Sequence, residues 1–510
     1  MANSMARTAS RDSPWRWAMS VMAFSASGVT VACIVMVLSL WVQWRDYLLV
    51  PRGAGRRIMA KDEDVSNGFD VRGRLLRDGE LAPWLAENSL GNRFGLAVVG
   101  SDEGHRSKAV ALAIVAADGD GRYLDIATLT DDDEAALASW LADPGPPKAV
   151  HEGKSTLHAL ANCGWTLRGV TSDTALAAHV VRPGRRSPAL NELLIDHMRC
   201  ALHDEALELK LFSSPPGERA VRALILRACA VLDLADVLDE ELARIDSSSL
   251  LWRVELPAQR VLAGLEIAGI AVHPGVPDGR IHPTYRQATS PTGAVSSSQP
   301  NLRGLRARFV AGEGYGGLLT ARYDALETRL LAHLSGDTGL VDPHPAESSR
   351  SVLRALAYGW TADELAAMLK TSPGDAKHLV LQYLSETLLD QLTGAIAAAR
   401  ELGYAATLSG RRRYLRDLNS SDPAARRAAE RAVCVMALQG GVADIVKTAM
   451  ITTNQAITAA GLASRMVAQI DDRLVFEVAA GERDAVAEYV RDQMAGAYQL
   501  DGPLAVSVAD

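Results

Sequence analysis

Cysteine is sparse and scattered. Cys33, Cys163, Cys200, Cys229 and Cys434 share no spacing that would hold a metal ion and form no disulfide framework. The bulk of the chain is therefore expected to be reduced and cytosolic, with a hydrophobic share of 48% that is ample for packed cores. An excess of positive charge is also missing. The 53 Lys and Arg against 61 Asp and Glu leave a net charge of −8. That balance excludes a surface coated by nucleic acid, so any such contact must be a patch. Charge is absent altogether from residues 17–44. At about 1.5 Å per residue this run is long enough to cross a bilayer as a helix. Trp15 and Trp17 at one end, and Trp41, Trp44 and Tyr47 at the other, fit interfacial belts. The rival, a cleaved signal peptide, would have a shorter apolar core. Arg45, Arg52, Arg56, Arg57 and Lys61 outnumber Arg7, Arg11 and Arg16 across the run. The bias predicts a single-pass inner (cytoplasmic) membrane protein with a cytoplasmic C-terminal body. A wholly cytoplasmic protein is the alternative.

A length of 510 residues implies two or more domains. Residues 50–91 form a linker: Pro51, Gly53 and Gly55 break structure, and Asp62, Glu63 and Asp64 are a solvated charge run. From Arg93 the pattern alternates between α and β. Strands are expected at 94–99, 109–116, 123–127 and 148–150, with helices continuing to about residue 243. Thr130 caps a helix whose first turn carries Asp131, Asp132, Asp133 and Glu134, carboxylates that suit the helix dipole. A metal site is the sharper alternative there. An amphipathic helix is expected over 250–272.

The most informative stretch is 403–450. A short strand pair over 408–415 turns at Ser409-Gly410 and is followed by Arg411, Arg412 and Arg413. Asp422 caps the next helix, with Pro423 at its first position. Arg426, Arg427 and Arg431 then sit among alanines. Six arginines on a turn and a helix make a local positive surface in an acidic chain, the footprint of a phosphate-backbone contact. The alternative is a solvated helix face.

Within this stretch, residues 410–415, Ala428 to Arg431, Gln439-Gly440 and Ala443-Asp444-Ile445 occur in an order that carries a family likeness. So do Ala463 to Met466 and 469–478 downstream, and Thr292-Gly293, Ser296-Ser297, Pro300-Asn301-Leu302 and 331–337 upstream. These segments resemble the palm of bacterial DNA polymerase I, family A. Asp173-Thr174, Ala178-His179 and Arg182-Pro183 are similar to that family's 3′–5′ exonuclease domain. The resemblance implies an α/β (α+β) fold. A ribonuclease H-like exonuclease domain would occupy 92–245, a thumb remnant 246–277, and a shortened right-hand palm with partial fingers 278–510. The N-terminal tail and transmembrane helix would take 1–49.

In the family, two cations held by aspartates align the reacting groups. Motif A reads Asp-Tyr-Ser-x-x-Glu-x-Arg. Here Tyr323, Glu327 and Arg329 match, but Arg322 replaces the metal-binding aspartate, and a guanidinium there repels cations. Asp324 lies two residues along, on the same side of a strand. Motif C becomes Asp471-Asp472-Arg473, with Asp472 at the retained metal-ligand position. On the fingers helix, alignment places Ala346 at the arginine, Arg350 at the lysine and Arg354 at the aromatic ring. The resemblance thus implies nucleotide contacts from Arg350, Tyr323 and Glu327. In the exonuclease-like domain Gly100 and Thr156 replace carboxylates, the segment at Arg227 to Cys229 lacks its Tyr and Asp, and Asp173 alone is retained. DNA contacts fall on Arg411, Arg412, Arg413, Arg426, Arg427, Arg431 and Gln439. No metal site is assigned and no cofactor is expected, with Mg2+ entering only alongside surviving polymerase activity. The expectation is a membrane-anchored, polymerase I-like protein with both centres inactive. It would bind primer–template DNA weakly and without sequence preference, and no protein partner is identified. The alternative is a functional DNA-directed DNA polymerase of replication and repair.

Overall fold

The computed structural model describes residue 69 and residues 72–509, apart from 90, 102–103, 185–187, 203–216, 274–275, 277–278, 341–351, 353 and 384–385. The transmembrane run at 17–44 and Arg350 lie outside the described residues. Among the described residues, one helical stretch, Pro423–Ala459, is long and apolar enough to cross a membrane. Of its apolar 18-residue window, 72% is buried inside the protein, which makes that part a core helix.

The first sheet comprises β1 (Arg72–Leu75), β2 (Phe94–Gly100), β3 (Ala109–Val115), β4 (Asp120–Asp125), β5 (Lys148–Val150) and β6 (Val170–Asp173), in the order β1-β4-β3-β2-β5-β6. β2, β3 and β4 form an antiparallel meander; β5 and β6 extend it in parallel. β2 and β3 read as near-continuous apolar runs because both faces of the sheet are covered. Leu224, Ala228 and Leu232 of the long helix Glu218–Arg244 pack on Ala97, Ala113 and Tyr123. Leu81 and Trp84 of helix Leu81–Asn88, with Leu137 and Trp140 of helix Asp131–Ala142, cover Leu96 and Leu112. Gly95 is where the long helix comes nearest: a Cβ there would lie 2.1 Å from the Ala228 carbonyl oxygen.

Two expectations change here. The stretch 72–88, assigned to a linker, belongs to this domain: β1 pairs in parallel with β4, and Leu81, Trp84 and Leu85 are buried. Its arginines and Gly73 gave β1 no apolar alternation to read. The acidic first turn of helix Asp131–Ala142 is structural. Thr130 accepts from the Asp133 amide, and Asp133 in turn accepts from the amides of Gly79 (2.7 Å) and Leu81 (3.1 Å).

The second half adds β7 (Ile270–Ala271), β8 (Arg280–Ile281), β9 (Thr284–Arg286), β10 (Ser296–Ser298), β11 (Gly317–Tyr323), β12 (Tyr404–Ala406), β13 (Arg412–Tyr414), β14 (Arg465–Ile470), β15 (Arg473–Val478) and β16 (Val506–Ala509). The palm sheet runs β14-β15-β11-β16, antiparallel throughout. Period-two alternation in β11 turns Leu319, Ala321 and Tyr323 into the core, against Phe476, Ile445, Val486 and Met494. Arg322 is left on the open face. β12 and β13 form the expected hairpin around Ser409-Gly410.

The helix expected over 250–272 is broken into a π turn, Leu251–Glu255, and a helix, Leu256–Ala268, that stops at Gly269. Leu262 and Leu265 join the palm core, while Leu256 joins the core beneath the exonuclease-like sheet. A second π turn, Met436–Gly440, interrupts the helical stretch that continues as Gly441–Ala459.

Candidate nucleotide and nucleic-acid site

A cleft of about 930 Å³ opens where β11 ends. Its walls come from the β14–β15 turn, the start of helix Leu326–Ser335, helix Gly441–Ala459 and Gln439 of the π turn. Among the described residues lining it, each carboxylate faces an arginine. Arg322 Nε stands 3.6 Å from Asp324 Oδ1, and Arg473 Nε stands 3.9 Å from Asp472 Oδ1. Arg303 pairs with Asp471, and Arg354 pairs with Glu327. Glu327 also accepts from the Tyr358 hydroxyl at 3.0 Å. Burial and the charges of Asp471 and Glu327 push the Asp472 carboxyl up, against Arg322 and a backbone bond that favour its charge.

Backbone geometry shapes this arrangement. Asp471 (φ 56°) makes the tight turn between β14 and β15 in the left-handed region, a conformation Asp tolerates. Ala325 (φ 54°) adopts the same region with no such excuse, directly after Asp324. Tyr323, expected at the nucleotide, is 3% exposed, and its hydroxyl donates to the Met494 carbonyl at 2.8 Å. It serves the palm core. The donor set does not fit a two-cation site. A guanidinium occupies the motif A position, and no group of three or more His, Cys, Asp or Glu among the described residues could hold a metal ion.

In the exonuclease-like domain, Asp173 is fully buried. One oxygen accepts from the Gly153 amide and Gln259 Nε2, both at 2.6 Å. The other accepts from the amides of Ala175 (2.9 Å) and Leu176 (3.2 Å). Its acceptor capacity is taken by capping helix Thr174–Val181 and by fastening helix Leu256–Ala268. Nearby, burial lowers the His151 imidazole to about 3, assisted by the charge of Arg227.

The arginine surface is smaller than its sequence suggests. Arg411 is 0% exposed and pairs with Glu255, which also accepts from Lys447 Nζ at 2.7 and 3.0 Å and from Gln287 Nε2 at 2.7 Å. Burial works against the Glu255 charge, but Lys447, Arg411 and Gln287 outweigh it and hold the carboxyl at about 2. Arg411 therefore has no surface to offer a phosphate, which corrects its placement among the DNA contacts. Arg431 forks onto Glu364 at 2.8 and 2.9 Å, and Arg426 donates to the Ser420 carbonyl at 2.9 Å. Arg412 lies 4.6 Å over the Tyr404 ring and is half-buried, as is Arg413. Arg427 and Gln439 are exposed. Arg303, Arg354 and Glu255 were missed as partners. Their counterparts lie at distances along the chain that no local pattern encodes.

An antiparallel palm joined to a ribonuclease H-like sheet, with a cleft at the end of its central strand, defines the architecture of a polymerase joined to a 3′–5′ exonuclease module. The family model for DNA polymerase family A matches residues 267–349 and 347–509. The model for the DNA polymerase I ribonuclease H-like domain matches residues 98–206. The chain belongs to the family A DNA polymerases. It is similar to DNA polymerase I of Mycobacterium bovis (40% identity over 87% of this chain) and of Mycobacterium leprae (39% over 89%). It spans 65% of the length of each of these relatives. A solved structure of the polymerase domain of Pol1 from M. smegmatis, in complex with DNA primer–template and dNTP, matches with a TM-score of 0.78 and 41% identity. That match covers 86% of this chain and 98% of that one.

Proposed function

We propose that this chain is a polymerase I-like DNA-binding protein that performs neither nucleotide addition nor 3′ trimming. The observation that carries the reading is Arg322, a guanidinium at the motif A position, paired to the one nearby carboxylate that could have replaced the missing aspartate. The saturated carboxylate of Asp173 supports the second half. DNA binding is supported by family membership and by the primer–template held by the M. smegmatis relative. Purified protein is expected to shift a labelled primer–template without extending or shortening it in Mg2+ or Mn2+. Template-dependent incorporation abolished by Asp472→Ala would overturn the reading. It would instead favour a working DNA polymerase, for which the four carboxylates gathered in one cleft speak.

Attachment to the inner membrane, with the body in the cytoplasm, is a further part of the proposal. It rests on the uncharged run at 17–44 and the basic flank that follows it. Protease added outside spheroplasts is expected to leave the C-terminal body intact. Recovery of the protein in the soluble fraction would sink this part alone.

A further inference from the structure

We propose that Arg322 allows the palm cleft to hold phosphate oxyanions without a divalent cation. The inference rests on the DNA-binding reading and adds the means by which the cleft does so. Carboxylates alone would make this cleft repel a phosphate. Here four carboxylates meet four arginines, and Lys447 lines the cleft as well, so an incoming anion does not face a net negative wall. Two of those pairs are loose. At 3.6 and 3.9 Å, Arg322–Asp324 and Arg473–Asp472 lie beyond hydrogen-bond length, so each pair leaves guanidinium N–H groups uncommitted to its carboxylate. The Arg322 side chain is 53% exposed into the cleft.

Register sharpens the point. Arg322 and Arg473 are direct cross-strand partners on β11 and β15. Like charges in that relation repel, and Asp324 and Asp472 only partly relieve them. An anion seated between the two forks completes the neutralisation. A planar guanidinium matches the oxygens of a phosphate in a bidentate manner that a lysine does not. A cleft of about 930 Å³ has room for a nucleotide. The ligand chemistry is thus a phosphate carried either by a nucleoside triphosphate or by a DNA phosphodiester.

The test measures binding of a fluorescent nucleoside triphosphate, and separately of a fluorescent primer–template, in EDTA and in Mg2+. Wild-type protein is expected to bind at least one of them equally well in both buffers. Arg322→Ala is expected to weaken that binding in EDTA by about tenfold or more, the size of one charge-assisted hydrogen bond. The ligand that responds identifies the phosphate source. Arg322→Asp places a third carboxylate beside Asp324 and Asp472, so it is expected to lose binding in EDTA and regain it when Mn2+ is added. Thermal unfolding of both variants should stay near wild type, because the side chain is half exposed. Binding of DNA and of the triphosphate only when Mg2+ is present would overturn this inference and leave the DNA-binding reading standing. Wild-type affinity in Arg322→Ala for both ligands would do the same. Triphosphate binding in EDTA with no DNA binding in either buffer would overturn the DNA-binding reading alone, and absence of binding to both ligands in both buffers would overturn both.

Discussion

Arg411 and Glu255, 156 residues apart in the chain, form an ion pair from which solvent is excluded, with side-chain exposures of 0% and 1%. Lys447 donates to both oxygens of the same carboxylate, at 2.7 and 3.0 Å. The chain is built around this contact. Both π turns adjoin it: Glu255 ends one, and the other leads into the helix bearing Lys447. Gly293 (φ 76°) makes room for it, since a Cβ there would sit 2.4 Å from Arg411 Nε.

Removing one member leaves the others charged and buried. Glu255→Gln is expected to destabilise the protein by about 3–5 kcal/mol. The measurement is the urea midpoint followed by tryptophan fluorescence. A midpoint within error of wild type would mean that the pair contributes nothing to stability.

Acid should unfold the protein in two ranges. Burial lowers the imidazoles of His151 to about 3 and of His179 to about 4, below an ordinary value of 6.5. The unfolded chain therefore binds more protons below 6.5, and stability falls with each step down in pH. The slope approaches about 1.4 kcal/mol per pH unit for each site. Glu255, held at about 2 against an ordinary 4.5, adds a further loss as pH falls from 4.5 towards 2. Urea midpoints between pH 8 and pH 4 give the check: flat stability down to pH 5 would contradict the histidine assignments.

DNA affinity should depend on fewer arginines than the sequence offers. Alanine at Arg412, Arg413 and Arg427 together is expected to weaken duplex binding and to flatten the slope of log K against log salt. Each lost phosphate contact removes roughly 0.9 from that slope. Titrations between 50 and 200 mM salt decide it. Arg411→Ala should instead lower the unfolding midpoint, and a folded Arg411→Ala protein with a flattened slope would return that residue to the DNA surface.

Asp173→Ala leaves four buried donors without their acceptor, so a loss of at least about 2 kcal/mol is expected. On the proposed reading, 3′ trimming should be at background in both the wild type and this variant. Trimming by wild-type protein that vanishes in Asp173→Ala would assign this carboxylate to chemistry.

Much of this was legible from local sequence. The strands at 94–99 and 148–150, the cap at Thr130 and the cap at Asp422 follow from patterns within a few residues, and the structure has them; the hairpin expected over 408–415 turns where expected, but its first strand lies earlier, at 404–406. Other features depend on distant partners. Arg411 has the sequence environment of a surface arginine, and only Glu255 turns it inward. Arg431 lies on an amphipathic helix among alanines, and Glu364, 67 residues away, claims it. β1 borrows its place from β4. Residues of the family segments, among them Arg322, Gln439 and Asp472, line the cleft. The pairing of Asp471 and Glu327 was not readable, because Arg303 reaches Asp471 across 168 residues and Arg354 reaches Glu327 from another helix.

Helix Leu256–Ala268 has one end in each hydrophobic core. Gln259 holds Asp173, and Glu266 takes Lys154 and His158 from the exonuclease-like side while accepting the Tyr285 amide from the palm side. A deletion that removed the exonuclease-like sheet would leave Glu266 charged against apolar neighbours and strip the cover from Leu256. The folding of the two modules is consequently coupled through this one helix, so a cut between them would cost each a part of its core.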